Sequence, residues 1–203
     1  YMMRFRWNDR TDGEDTDRSD IDLVGLQNEL IEKVAASGKP TILILVNGRP
    51  LGVQWAAENL PAIVEAWAPG MYGGQAVAEI LYGQVNPSAK LAITIPHSVG
   101  QLQMIYNHKP SQYFHPYAAG KPSTPLYPFG LSYTTYKYDD LKLAQKEITK
   151  DGTVDVSVKV TNTGDRDGVE IVQLYIRDKF SSVTRPVKEL KDFARVPLKA
   201  GES

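Results

Sequence analysis

An α/β layer followed by an all-β sandwich is the fold class predicted for this chain, and three observations predict it. Residues 20–105 alternate helix-period stretches with short continuous apolar runs. From about residue 136 the hydrophobic period changes to two. Between them, residues 107–135 are rich in Pro, Tyr, Gly and Ser and keep no usable period. Period 3.6 marks helix faces, period two marks half-buried strands, and unbroken apolar runs suit strands covered on both faces. The expected organisation is therefore a domain over 1–106, an aromatic and proline-rich linker over 107–135, and a second domain over 136–203.

In the first part, Leu23, Leu26, Leu30, Ile31 and Val34 recur at helical spacing and stop at Gly38 and Pro40. Thr41-Ile42-Leu43-Ile44-Leu45-Val46 then reads as a buried strand, turned by Asn47-Gly48-Arg49-Pro50. A short helix is expected over 53–59 and a second buried strand at Ala62-Ile63-Val64-Glu65-Ala66-Trp67. Pro69-Gly70 and Gly73-Gly74 open a helix over 75–81, and Leu91-Ala92-Ile93-Thr94-Ile95 makes a third strand, shut off by Pro96. Such alternation predicts parallel pairing.

In the second part, Val154, Val156, Val158 and Val160 alternate with Asp155, Ser157, Lys159 and Thr161. A turn is expected at Asn162-Thr163-Gly164-Asp165, then strands over 169–177 and 190–196. Short strands separated by turn signals suggest a sandwich of immunoglobulin or fibronectin type, which needs about seven strands. Four or five fit before Ser203, so its core is expected to be incomplete.

Composition narrows the function classes. The chain has 203 residues, 42% hydrophobic and 23% charged, which is ordinary for a globular protein. A formal charge of -1 supplies no long-range field, so neither nucleic acid nor an acidic membrane surface is an expected partner. With no cysteine there is no disulfide framework and no thiolate metal site. No apolar run reaches the roughly 18 residues of a membrane span. Tyr1-Met2-Met3-Arg4-Phe5-Arg6-Trp7 is too charged for a signal-peptide core and reads as a chain entered midway.

The candidate chemistry centres on Glu14, in Gly13-Glu14-Asp15-Thr16-Asp17-Arg18-Ser19-Asp20-Ile21-Asp22-Leu23. Three readings stay open on the residues alone. One is a solvated acidic loop whose last members favour the positive end of the next helix. Another is a calcium loop, although Asp-x-Asp-x-Asp-Gly spacing is absent. The third is a general acid above a pocket, its pKa raised by burial or a second carboxylate. Arg18 would then tie the loop to Asp17 or Asp20. The turn Gly70-Met71-Tyr72-Gly73-Gly74-Gln75 lacks the residues of a phosphate loop and reads as close turn-to-helix packing. His97, His108 and His115 share no metal-ligand spacing, and Ser98, Ser111 and Ser132 lie in no nucleophile elbow. No cofactor or metal is expected. The linker aromatics Tyr106, Tyr113, Phe114, Tyr117, Tyr127, Phe129 and Tyr133 suit packing better than sugar contact.

The order Gly13-Glu14-x-x-Asp17-Arg18-x-Asp20-x-Asp22-Leu23, then Gln27-x-Glu29-Leu30-Ile31, resembles glycoside hydrolase family 3, in its multidomain β-glucosidase and β-xylosidase branch. The resemblance continues through Gly38-Lys39-Pro40, Val46-Asn47-Gly48-Arg49-Pro50, Ala62 to Trp67, Pro69-Gly70, Gly73-Gly74 and Asn86-Pro87-Ser88-Ala89-Lys90-Leu91. It runs on through Pro96-His97-Ser98-Val99-Gly100-Gln101, Tyr106-Asn107-His108-Lys109-Pro110 and Leu126 to Thr135. It closes with Val160-Thr161-Asn162-Thr163-Gly164 and Arg185-Pro186-Val187-Lys188-Glu189-Leu190-Lys191, leaving residues 1–12 outside.

This resemblance implies a partial α/β sandwich followed by an incomplete fibronectin type III-like β-sandwich. It implies a retaining exo-acting β-glycosidase that removes terminal β-D-glucosyl or xylosyl residues, with a β-glucoside or oligosaccharide as substrate. In such enzymes a (β/α)8 barrel carries an aspartate nucleophile, and the acid/base glutamate comes from a loop of the α/β sandwich. Glu14 stands at the matching position, and the resemblance implies that role for it. Phe129-Gly130-Leu131-Ser132 departs from the family by being two residues shorter than Phe-Gly-x-Gly-Leu-Ser. The barrel and the first half of the α/β sandwich are not among these residues, so an exposed sheet edge, homo-oligomerisation through it, and little activity of the chain alone are expected. The alternative is a non-catalytic carbohydrate-binding or scaffold module. A periplasmic or secreted parent is favoured over a cytoplasmic one.

Overall fold

The computed structural model describes residues 18–102, 104–110 and 129–203. They divide into two compact units, one holding residues up to 78, 91–128 and 178–187, the other 79–90, 129–177 and 188–203. Both fold classes expected from the sequence are present, an α/β unit and an all-β unit.

In the α/β unit, helix α1 (Gln27–Ala35) precedes strand β1 (Ile42–Leu45), helix α2 (Gln54–Asn59) and strand β2 (Ala62–Glu65). The two strands pair in parallel with Ile42 opposite Ala62 and Leu45 opposite Glu65. A helix between them supplies the crossover that parallel pairing requires. The core is small: Leu45, Leu51, Val53 and Ala56 are buried, with Leu23, Ile31, Leu43, Leu60 and Ile63 packed around them.

Two expectations change here. The run 41–46 suggested a strand covered on both faces, yet only one face is covered. Leu43 and Leu45 turn to the core while Ile42, Ile44 and Val46 are exposed. Side chains alternate across a strand, so one layer of packing shields one set only. The third expected strand, 91–95, also does not form. An apolar run becomes a strand only through a ladder with a neighbour, and no described residue pairs with it.

Helix α3 (Gly73–Leu81) starts two residues earlier than the sequence suggested. Its entry is tight, because a Cβ on Gly73 would collide with the Pro69 ring. The sequence reading of this glycine-rich turn as close packing agrees with that contact. A 3-10 turn follows at Val99–Gln101.

The all-β unit contains β3 (Tyr136–Leu143), β4 (Val156–Asn162), β5 (Gly168–Ile176) and β6 (Glu189–Leu198). They form two antiparallel pairs, β3 with β4 and β5 with β6. The sequence reading named three of these strands and passed over β3, whose paired Asp139-Asp140 breaks the alternation; the ladder shifts register after Asp139, and Asp140 takes φ 53. Four strands give an incomplete sandwich, and between them lies an open groove lined by Tyr138, Val156, Val158, Val172, Leu174 and Phe193. At one end Val160, Leu198, Thr134, Glu170 and Asn162 are buried. Lys90 pairs with Glu170 at 3.3 Å, and the Tyr138 hydroxyl donates to the same carboxylate at 2.8 Å. Burial, helped by that carboxylate, raises the Tyr138 phenol well above its ordinary value.

Candidate functional site

Glu14 lies outside the described residues, as do Asp17, Ser111, His115 and most of the linker aromatics. The described structure begins at Arg18 and shows how the end of the acidic stretch is held. Asp20 Oδ1 accepts the backbone amides of Ile21, at 2.6 Å, and Asp22, at 3.0 Å. An aspartate bonding to the next amides closes a local turn, the geometry that short acidic side chains favour. Arg18 Nη2 donates to the backbone carbonyl of Asp22 at 2.9 Å. The sequence suggests a tie from Arg18 to Asp17 or Asp20; Asp17 lies outside the described residues, and the bond described here is to a main-chain oxygen.

From that turn the chain is fastened to the α/β unit. Ile21 is buried, its carbonyl accepts the Gly52 amide at 2.8 Å, and Asp22 and Gly52 form an isolated parallel bridge. Position 52 has no room for a side chain: a Cβ there would stand 2.8 Å from Asp22 Oδ1 and 3.5 Å from the His97 carbonyl. Three segments distant in sequence, around residues 21, 52 and 97, thus meet at this point. Asp20 and Asp22 are exposed, and neither caps the helix that follows by a side-chain bond. Helix α1 begins at Gln27 with Leu26 before it and no side-chain cap.

Beside this anchor, the carboxyl ends of β1 and β2 carry a second arrangement. In open parallel sheets, ligands bind outside the carboxyl ends of the strands. There, Glu65 Oε1 accepts the Trp67 amide at 3.1 Å, and Oε2 lies 3.5 Å from Asn47 Nδ2. Asn47 donates its own amide to the Trp67 carbonyl at 3.1 Å and its side-chain amide to the Arg49 carbonyl at 2.6 Å. Asn47 is buried, and its Oδ1 has no hydrogen-bond partner among the described residues. Burial raises the Glu65 pKa, while its bonds to the Trp67 amide and to Asn47 pull the other way. Trp67 itself sits at φ 52, a left-handed conformation that is a genuine outlier for a bulky residue.

Sequence reading gave Glu65, Asn47 and Trp67 no role. The available signal was an acid closing an otherwise apolar strand run, which usually needs a local partner when buried. Among the remaining candidates, the bonds described for the histidines are made by their main chain. The His97 amide donates to Gln101 Oε1 at 2.7 Å, and the His108 carbonyl accepts from Val187. In the all-β unit, Ser132 Oγ and the Tyr133 amide both donate to Asn86 Oδ1 at 2.8 Å. Gly130 lies so close to Ala89 that a Cβ would collide with the Ala89 carbonyl oxygen. Among the described residues no cluster of three or more His, Cys, Asp or Glu could hold a metal ion, and no helix is long and apolar enough to cross a membrane.

Residues 3–135 match the model of the glycosyl hydrolase family 3 C-terminal domain, and residues 170–203 match the fibronectin type III-like domain. A β-xylosidase of Formosa agariphila is 48% identical over 96% of this chain and 27% of its own length. A periplasmic β-glucosidase of Salmonella typhimurium is 42% identical over 93% of the chain and 26% of its own length. Among solved structures, a β-glucosidase from Erythrobacter marinus superposes with a TM-score of 0.87 at 49% identity, over 92% of this chain and 25% of that one. A β-glucosidase from Listeria innocua, solved with glucose, gives 0.82 at 36% identity, over 90% and 27%. The chain therefore spans about a quarter of the length of the relatives it matches.

Proposed function

The chain belongs to glycoside hydrolase family 3, and on that premise we propose that it contributes the acid/base glutamate, Glu14, to a retaining exo-acting β-glycosidase. The substrate is a β-glucoside or β-xyloside cleaved at its terminal non-reducing residue. The observation that carries this reading is the family match across residues 3–135, which includes the Gly13-Glu14-x-x-Asp17-Arg18 stretch. Fastening of residues 20–22 against Gly52 supports it, since a proton donor must be delivered to a reproducible place.

Chemically, Glu14 protonates the departing glycosidic oxygen as the sugar transfers to a carboxylate nucleophile. In the second step it takes a proton from the water that releases the sugar. The nucleophile belongs to the part of the relatives that this chain does not span, so the 203-residue chain alone is expected to hydrolyse at background level. A periplasmic or secreted setting for the whole enzyme follows the Salmonella relative's description.

The test is Glu14→Gln in an enzyme assembled with the portion of the relatives that this chain does not span. Aryl glycosides with acidic leaving groups depart without a proton donor, whereas alkyl glycosides need one. The variant should keep most of its rate of glycosyl transfer from the first and lose at least about 10²-fold on the second. Wild-type rates on alkyl glycosides would overturn the assignment of Glu14. Sugar binding that survives Glu14→Ala, with no hydrolysis in any assembly, would instead favour a non-catalytic carbohydrate-binding module.

A further inference from the structure

We propose that Glu65 and Asn47 are positioning residues that hold residues 67–72 rigid as a sugar-binding wall, with Tyr72 as its stacking face. The ligand class, a pyranoside, rests on the glycosidase reading; the positioning device rests on geometry alone.

The starting point is the Trp67 backbone. A left-handed conformation at a non-glycine residue costs on the order of 1–3 kcal/mol and persists only where its surroundings over-determine it. Here both peptide groups of Trp67 are tied. Its amide is taken by Glu65 Oε1 at 3.1 Å and its carbonyl by the Asn47 amide at 3.1 Å. Glu65 terminates β2 and Asn47 follows β1 by two residues, so the two strand ends jointly clamp one residue. Strain of this kind gathers at ligand clamps and active sites.

Beyond Trp67 the chain stays fixed. Gly70 takes φ 73, the Gly73 amide bonds the Gly70 carbonyl at 3.1 Å, and the Pro69 ring fills the space beside Gly73. The Tyr72 carbonyl then accepts the Ala76 amide at 3.0 Å, entering α3. On this hydrogen-bonded backbone, Tyr72 is 73% exposed and Met71 is 91% exposed. A flat amphipathic ring held out on a fixed turn is suited to the apolar face of a sugar, because little side-chain entropy is lost on binding. Its location beyond the carboxyl ends of parallel strands is where such sheets receive ligands.

The experiment is a titration of the isotopically labelled 203-residue chain with methyl β-D-glucopyranoside, followed by backbone and ring resonances. Saturable shifts are expected at Trp67 and Tyr72. Tyr72→Ala should weaken binding roughly tenfold, the loss of one stacked ring. Glu65→Gln keeps a carbonyl acceptor for the Trp67 amide and should bind within about twofold of wild type, a difference of under half a kcal/mol. Glu65→Ala should weaken binding as Tyr72→Ala does. Should Glu65→Ala unfold, Trp67→Gly supplies the second route, because glycine adopts φ 52 unaided. With Trp67→Gly in place, Glu65→Ala should then fold and bind like Trp67→Gly alone.

No shift at Tyr72 at saturating sugar overturns the wall. Equal binding by Glu65→Ala and wild type overturns the positioning role. Shifts at Met71 and Tyr72 that follow protein concentration instead of sugar would make the turn a self-contact and also overturn the proposal. None of these readouts requires hydrolysis. Failure of the Glu14 assignment and failure of this inference are therefore separable.

Discussion

Thr134 Oγ1 donates a 2.6 Å hydrogen bond to Asn162 Oδ1, and both side chains are buried. Around that bond Asn162 is fully satisfied. Its Oδ1 also takes the Gly164 amide, its Nδ2 donates to the Arg166 and Leu198 carbonyls, and its backbone bonds Glu202 and Gly201. One asparagine thus joins the end of β4 to the end of β6 and to the segment before β3. Replacing it leaves several buried partners unpaired at once. Asn162→Ala is expected to destabilise the all-β unit by about 3 kcal/mol, and Thr134→Val by about 1–2 kcal/mol. Urea unfolding followed by β-sheet circular dichroism checks both; a loss below that of Thr134→Val in the Asn162 variant would contradict the network reading.

Gly52→Ala should loosen the anchor of the acidic segment. The new methyl would stand 2.8 Å from Asp22 Oδ1, so the bridge between Asp22 and Gly52 must open. A destabilisation of about 1–3 kcal/mol is expected from overpacking. Amide exchange at Gly52 and Ile21 should accelerate with it. Unchanged exchange at those two amides would show that the bridge holds nothing.

Glu65 gives a pH signature with a definite sign. Its folded pKa is raised above the ordinary 4.5, so the folded chain binds the proton more tightly than the unfolded one. Stability from this group is therefore fully present below the unfolded value and declines as pH rises through 4.5 to the raised folded value. Relative to Glu65→Gln, which cannot ionise, wild type should gain stability as pH falls through that window. Parallel unfolding curves at several pH values test this; a wild type that loses ground on acidification would reverse the sign.

The open groove between the two β-pairs leads to a proposal about association. Two-stranded pairs with one apolar face are marginal in water, and unpaired edges invite further strands. Phe193 is 63% exposed beside Leu141 and Leu174. The 203-residue chain is expected to self-associate with rising concentration, and Val158→Lys or Phe193→Lys should shift it toward monomer. Light scattering after size exclusion decides it: a monomer at every concentration would contradict the proposal.

What was readable in the sequence follows from the range of each force. Helix and strand identity is local, so α1, α2, α3, β1, β2, β4, β5 and β6 all fall close to where their periodicities placed them. The exceptions mark where local pattern is not enough. Residues 91–95 have strand composition but no ladder partner among the described residues, and β3 forms although its paired aspartates mask the alternation. Likewise Asn162 looked like a turn residue, yet its burial among six hydrogen bonds makes it the closure of the all-β unit.

By itself, the sequence determined the two fold classes, the family membership, and Glu14 as the residue to test, because motif order and hydrophobic period are written along the chain. Only the tertiary structure decided that Gly52 must lack a side chain and that Asp22 bridges to it. It alone showed that Glu65 and Asn47 hold Trp67 at φ 52. The Asp22–Gly52 and Asn47–Glu65 contacts join residues thirty and eighteen positions apart, whereas Glu65 reaches Trp67 only two positions on. Their geometry arises when β1 and β2 pair in parallel and bring their carboxyl ends together, which no window along the chain contains.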